Sequence, residues 1–152
     1  MNKLRLILGD QLNINHSWFK ENNSKITYVM MEVKEETSYV LHHAQKIIAT
    51  FAAMRFFAEQ LQQKGFEVIY FKINDKQNKQ SFYQNINKAI KEKSINELQY
   101  QEPDEYRLST ELKKLESIEN IKVESVDTEH FLVTKLYAKD FFSEKKHWRM
   151  EE

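Results

Sequence analysis

A doubly wound α/β domain, with a mostly parallel five-stranded sheet and helices on both faces, is the fold class this sequence predicts. Two observations carry the prediction. Five short β-rich runs recur along the 152 residues, and segments of helical periodicity separate most of them. The first run, residues 4–8, is dominated by Leu and Ile and passes straight into Gly9-Asp10-Gln11, which reads as a strand buried on both faces. Strands joined in chain order through helices pair in parallel by right-handed crossovers, so the fold is Rossmann-like. The loop at the carboxyl end of a central strand opens into the crevice where such sheets hold ligands.

The elements follow in order. Residues 13–23 are polar except for Ile14, Trp18 and Phe19, and form a loop or short helix over the sheet. Residues 26–32 are strand two, ending in the acidic cluster Glu32, Glu35 and Glu36. A helix runs from about residue 39 to 64, with Thr37 or Ser38 offering an N-cap. Val40, Ile47, Phe51, Met54, Ala58 and Leu61 keep helical spacing on it. Leu41, Ile48, Ala52 and Phe56 flank them, which predicts burial on more than one side. Gly65 stops this helix as its C′ residue. Residues 67–73 are strand three. Residues 81–93 form a second amphipathic helix with Phe82, Ile86, Ala89 and Ile90 inward. Strand four is Glu97–Gln101, a third helix spans 105–117, and strand five spans 121–126. Residues 131–133 are a further short segment. Residues 139–152 are helical in propensity but carry no capping signal at their end. The expected organisation is an α/β domain over residues 1–134, with 135–152 starting a linker or helix that leads on into a longer protein.

Composition narrows the function classes. Lys+Arg and Asp+Glu are equal at 23 each, so no global charge drives the chain toward nucleic acid, although Lys145-Lys146-His147 is a local basic patch. The chain has no cysteine, which excludes disulfides, thiolate metal sites and a cysteine nucleophile within it. No apolar run approaches a membrane span and no signal-peptide core opens the chain, so the cytoplasm is the expected compartment. Neither GxGxxG nor GxxxxGK[ST] occurs, so the usual dinucleotide and P-loop readings fail.

The candidate residues each carry two readings. Gly9 permits a tight turn. Asp10 binds a ligand at the end of strand one or caps the turn after Gly9. Glu35 and Glu36 complement the helix dipole or bind a ligand. His42 and His43 are adjacent, point about 100° apart on a helix and cannot share a metal ion unaided. His43, Lys46 and Thr50 share a stripe that is a polar edge on the residues alone. Arg107 meets an anionic group, or pairs with Glu105 or a neighbouring domain.

The combination is more specific than its parts. Leu6-Ile7-Leu8-Gly9-Asp10-Gln11-Leu12, Met31-Glu32-Val33 with Glu36, Tyr39-Val40 with His42-His43 and Lys46-Ile47, and Ala53-Met54-Arg55 with Phe57-Ala58 follow one another. With Glu102-Pro103, Tyr106-Arg107 and the tail His147-Trp148-Arg149-Met150-Glu151, they resemble the prokaryotic photolyase-related family, the iron-sulfur (6-4) photolyases and bacterial cryptochromes. The resemblance implies an N-terminal light-harvesting domain that binds 6,7-dimethyl-8-ribityllumazine and passes excitation to a flavin in light-dependent DNA repair. It implies that FAD, a 4Fe–4S cluster and the DNA-binding face belong to a further C-terminal helical domain, the expected partner. By position in the family it places Gly9, Asp10, Gln11, Met31, Glu36, His43, Lys46, Ile47 and Thr50 at the chromophore. Met31 and Thr50 stand where family members carry Cys and Ile. The alternative is a non-enzymatic binding or scaffold module of a cryptochrome-like photoreceptor.

Overall fold

A computed structural model describes residues 1–143. In chain order it contains β1 (Lys3–Leu6), a 3-10 turn (Ser17–Phe19), β2 (Ile26–Met31), α1 (Lys34–Ser38), α2 (Ala44–Gln63) and β3 (Glu67–Phe71). It continues with α3 (Phe82–Lys93), β4 (Glu97–Gln101), α4 (Tyr106–Lys113), a 3-10 turn (Lys114–Ser117), β5 (Lys122–Val126) and α5 (Lys135–Phe142). The strands form one sheet in the order β3-β2-β1-β4-β5. Every pairing is parallel, so the sheet is wholly rather than mostly parallel. β1 is central: Leu4 lies between Thr27 of β2 and Leu98 of β4.

Alternation along the strands divides the core between two faces. Leu4 and Leu6 of β1, with Val29 and Met31 of β2, pack against Ile86 and Ala89 of α3 and Leu108 and Leu112 of α4. Ile7, Tyr28 and Met30 point the other way, onto Trp18 and onto Met54, Phe57, Ala58 and Leu61 of α2. Each fully buried Leu or Ile contributes roughly 1.5–3 kcal/mol relative to exposure. The earlier crossovers therefore cover one face and the later ones the other. The winding reverses between β1 and β4, at the point where doubly wound sheets leave a crevice.

The structure corrects several expected boundaries. The long helix begins at Ala44, not near residue 39. Residues 34–38 form a separate helix, and Thr37 Oγ1 and Ser38 Oγ donate back to the Lys34 carbonyl at 3.3 and 2.7 Å instead of capping α2. His43 is the N-cap, its Nδ1 accepting from the Gln45 N–H at 3.3 Å. The expected burial of α2 on more than one side does not hold. Val40, Leu41, Ile48 and Phe56 are exposed, because among the described residues only the sheet side of α2 has a layer to pack against. β1 closes at Leu6, although Ile7 and Leu8 continue buried beyond it. Residues 131–133 form no strand or helix and are exposed. α5 starts at Lys135 rather than residue 139. The patch Lys145-Lys146-His147, the tail at 147–151 and the rest of the helix expected over 139–152 lie outside the described residues. No described helix is long and apolar enough to cross a membrane.

Two helix ends were legible in the residues. Gly65 has φ +84°, and its N–H and that of Phe66 donate to the carbonyls of Gln62 and Leu61 at 2.9 and 3.0 Å, closing α2. α3 begins where expected, but its cap comes from elsewhere. Ser81 makes no side-chain cap; the Glu35 carboxylate accepts from the Phe82 N–H at 3.0 Å.

Candidate functional site

Three loops at the carboxyl ends of the strands enclose a pocket of about 250 Å³. Leu8, Gly9 and Asp10 come from the end of β1, Met31, Val33 and Glu36 from the end of β2, and Glu105 and Leu108 from the end of β4. The first turns of α2 supply Lys46, Ile47, Thr50 and Met54, and the break before it supplies Tyr39 and His42. The walls are mostly aliphatic and aromatic, with a few polar groups among them, which is the usual make-up of a small-molecule site.

Gly9 does not hold a left-handed backbone. What it lacks matters more than how it turns. A Cβ there would come within 3.1 Å of both Met54 Sδ and Thr50 Cγ2, so Gly9 lets α2 approach the end of β1. Asp10 lies exposed at the rim on its solvent side. Burial on its protein side, with repulsion from Asp104 and Glu105, outweighs its own backbone N–H and nearby His130 and raises its carboxyl above the ordinary value.

Glu36 sits in α1 and is held by Arg107. The Arg107 Nη2 lies 3.1 Å from each Glu36 oxygen, and Nε donates to Glu105 at 2.8 Å. The Arg107 guanidinium also stacks 3.8 Å from the centre of the Tyr39 ring. Burial raises the Glu36 carboxyl, Arg107 opposes that rise, and Glu105 and Glu35 add to it. A second hollow, of about 320 Å³, lies on the Arg107 side and shares Glu36, Tyr39 and Phe82 with the first.

Behind the pocket, Glu32 ties three elements together. It is fully buried and accepts from Arg55 Nε and Nη2 at 2.6 and 2.8 Å, Tyr70 Oη at 2.8 Å and the Ile73 N–H at 2.8 Å. Burial alone would raise its carboxyl, but these donors together hold it below the ordinary value. The Asn78 amide donates to the Glu32 carbonyl at 2.7 Å, and Asn85 donates to Asn78 at 2.9 Å and lies 3.6 Å from Met31 Sδ. This amide chain fixes the wall that carries Met31.

Of the residues singled out in the sequence, Gly9, Asp10, Met31, Glu36, Lys46, Ile47 and Thr50 line the pocket. Gln11 and His43 do not. Gln11 is buried below the loop, accepting from the Leu8 N–H at 3.2 Å and donating to the Gln101 carbonyl at 3.2 Å. His43 faces outward as the α2 cap. Its neighbour His42 faces the pocket instead, and its Nε2 is closed off from solvent without a hydrogen-bond partner. A helix from about residue 39 would include both histidines, whereas in the structure both precede Ala44. The break before α2, which no Gly or Pro signals, leaves His42 against the pocket and His43 outward. Arg107 meets Glu36 across 71 residues, a pairing that no local pattern encodes. Among the described residues, no group of three or more His, Cys, Asp or Glu side chains is placed to hold a metal ion.

Comparison with known proteins identifies the family. Residues 5–152 match the model of a family described as deoxyribodipyrimidine photo-lyase-related protein. The chain is 34% identical over 152 residues to a (6-4) photolyase from Agrobacterium fabrum, an alignment covering 99% of this chain. It spans only 30% of that relative's length.

Proposed function

Since the chain belongs to the deoxyribodipyrimidine photo-lyase-related protein family, we propose that it is the antenna-binding α/β portion of a flavoprotein that repairs DNA in the light. The chromophore of its pocket is then 6,7-dimethyl-8-ribityllumazine. FAD, a 4Fe–4S cluster and the DNA contacts belong to a C-terminal helical domain, which is the partner of this one.

The pocket at the ends of β1 and β2 carries the proposal, and its residues fit such a group. Met31, Val33, Ile47, Met54 and Leu108 offer apolar surface to the faces of a fused ring. Asp10, Glu36, Thr37 and Thr50 offer hydrogen-bonding groups to ring edges and to a polyol chain. Its volume of about 250 Å³ lies just below the roughly 300–1,000 Å³ range of small-molecule sites. When bound, the chromophore absorbs light and hands excitation to the flavin. This chain's part is to hold the ring rigidly, keep its faces dry and supply the polar contacts that set its orientation.

The test is a titration of 6,7-dimethyl-8-ribityllumazine into the chain, followed by its fluorescence. Saturable binding is expected. Glu36→Ala and Asp10→Ala should each weaken it about tenfold, the effect of one lost hydrogen bond at about 1.4 kcal/mol per decade. A folded wild-type chain that binds no chromophore overturns the proposal. Unchanged binding in both variants moves the ligand to another surface.

A further inference from the structure

We infer that the loop between β3 and α3, residues 72–80, together with Lys34 beside it, is a contact for the phosphate backbone of duplex DNA. The inference rests on the proposed part in DNA repair. It leaves the lesion to the C-terminal domain and adds a contact on this domain that reads no base sequence.

The first observation is a concentration of unpaired charge. The chain as a whole is neutral. Lys72, Lys76 and Lys79 nevertheless fall within this one loop, and Lys34 joins them because its N–H donates to Gln80 Oε1 at 3.2 Å. All four are exposed. Among the described residues none of the four pairs with a carboxylate, whereas Lys3, Lys88, Lys93, Lys114, Lys122 and Lys135 all do. The loop's own carboxylate, Asp75, accepts from the Gln77 N–H at 2.8 Å, and Glu35 is spent on the α3 cap. Stability does not ask for cations here. Lys79 stands two residues before Ser81, at the end of α3 where the helix dipole disfavours positive charge. Lys91 and Lys93, in the last turn of the same helix, are the ones the dipole favours.

The second observation is that the loop is fixed in place. Asn78 is buried at its centre, and its amide donates to the carbonyls of Glu32 and Lys72 at 2.7 and 2.9 Å. Its Oδ1 accepts from the Gln80 N–H at 2.8 Å. Gln80 Nε2 donates to the Ile73 carbonyl at 2.8 Å, and Lys88 Nζ donates to Gln77 Oε1 at 2.8 Å. A backbone held in this way presents its charges with little further ordering on binding.

The third observation gives the direction of approach. At the carboxyl ends of the strands, charge is divided along the order β3-β2-β1-β4-β5. The four lysines follow β2 and β3, whereas Asp10, Glu102, Asp104 and Glu105 follow β1 and β4. Cations on that second side are engaged: Lys135 lies 3.0 Å from Glu102, and Arg107 holds Glu36 and Glu105. A polyanion is drawn to the β3 edge and repelled from the β4 side. Lysine ammoniums, with the exposed Asn74 amide among them, are donors of the kind that phosphate oxygens accept. None of the exposed large apolar side chains falls within 72–80, so the loop carries no anchor for a lipid surface.

The experiment follows the fluorescence anisotropy of a labelled, lesion-free DNA duplex titrated with the chain over a series of salt concentrations. Wild type is compared with Lys76→Gln, with Lys76→Gln/Lys79→Gln, and with Lys145→Gln/Lys146→Gln as the control for the basic tail. Circular dichroism checks that each variant is folded. Saturable binding at low salt is expected, with log affinity falling against log salt at a slope of about −3, since each phosphate engaged contributes about −0.9. The slope should shrink by about one for each loop lysine removed. Neither Lys76 nor Lys79 lines the chromophore pocket, so lumazine affinity should be the same in wild type and the double loop variant. Absence of duplex binding at the lowest salt, a slope unchanged in the double loop variant, or a loss that follows the tail variant instead overturns the inference. Tighter binding to phosphatidylglycerol vesicles than to the duplex also overturns it, and assigns the patch to a lipid surface. A wild-type chain that binds the duplex but no lumazine supports this contact and overturns the chromophore reading alone.

Discussion

At the scale of single residues, the carboxylates around the crevice divide into two kinds. Glu32 is fully buried and satisfied by four donors, whereas Asp10 and Glu36 are held at the pocket with raised carboxyls. Removing the first should damage the fold, because Tyr70 Oη and the Ile73 N–H would lose their acceptor. Glu32→Ala is expected to lower stability by about 3 kcal/mol in chemical denaturation, the scale of leaving buried donors unpaired. Its pH dependence has a definite sign. The folded carboxyl lies below the ordinary 4.5, so its stabilisation is complete above about pH 4.5 and is lost as pH falls from there through the folded value. Glu32→Gln should flatten that acid slope. An acid limb as steep in Glu32→Gln as in wild type would assign it to other groups. Asp10 and Glu36 run the opposite way: with raised values, their charged forms weigh against folding above those values and the strain is relieved as pH falls.

At the scale of elements, the entry to α2 shapes the pocket and its exit anchors the helix. The exit uses Gly65 in a left-handed conformation at φ +84°. Gly65→Ala should therefore cost about 1 kcal/mol, read as a shift in denaturation midpoint with an unchanged slope. A midpoint equal to wild type would mean that the turn accommodates the Cβ at no cost. The entry has no such residue. There the chain leaves α1, turns through residues 39–43 and restarts under the His43 cap, which swings Tyr39 and His42 over the cavity. A comparable long-range tie closes the far side of the sheet. His16 is buried, with Nδ1 accepting from the Trp18 N–H at 3.1 Å and Nε2 3.2 Å from the Asp127 carbonyl, joining the loop after β1 to the loop after β5.

At the scale of the whole molecule, the order β3-β2-β1-β4-β5 makes β1 central and puts its end in the crevice. The chain has no cysteine to hold an iron–sulfur cluster, and it spans 30% of the length of its (6-4) photolyase relative. By itself it is expected to show no light-dependent repair. The check is illumination of lesion-bearing DNA with the purified chain, followed by measurement of lesion content. Loss of lesions above the no-protein control would relocate the chemistry into this domain.

The amino-acid sequence by itself determined the strands, their parallel arrangement and the end of α2. Those features depend on short-range physics: an apolar run such as Leu4–Ile7–Leu8 must be buried, helix-length connections enforce parallel pairing, and a Gly at C′ closes a helix. It also marked the loop after β1, since Gly9-Asp10 ends the strand that became central. The tertiary structure alone decided which polar groups surround the cavity. Arg107 reaches Glu36 from 71 residues away, and Glu35 caps α3 from 47 residues away. His42 rather than His43 turns inward because the break before α2 sets the helical phase, and that break is stabilised by contacts such as Arg107 on Tyr39. Gly9 is required by the approach of Met54 and Thr50, not by its own backbone angles. Each of these depends on which side chains meet after the sheet has formed, and spacing along the chain carries no record of that meeting.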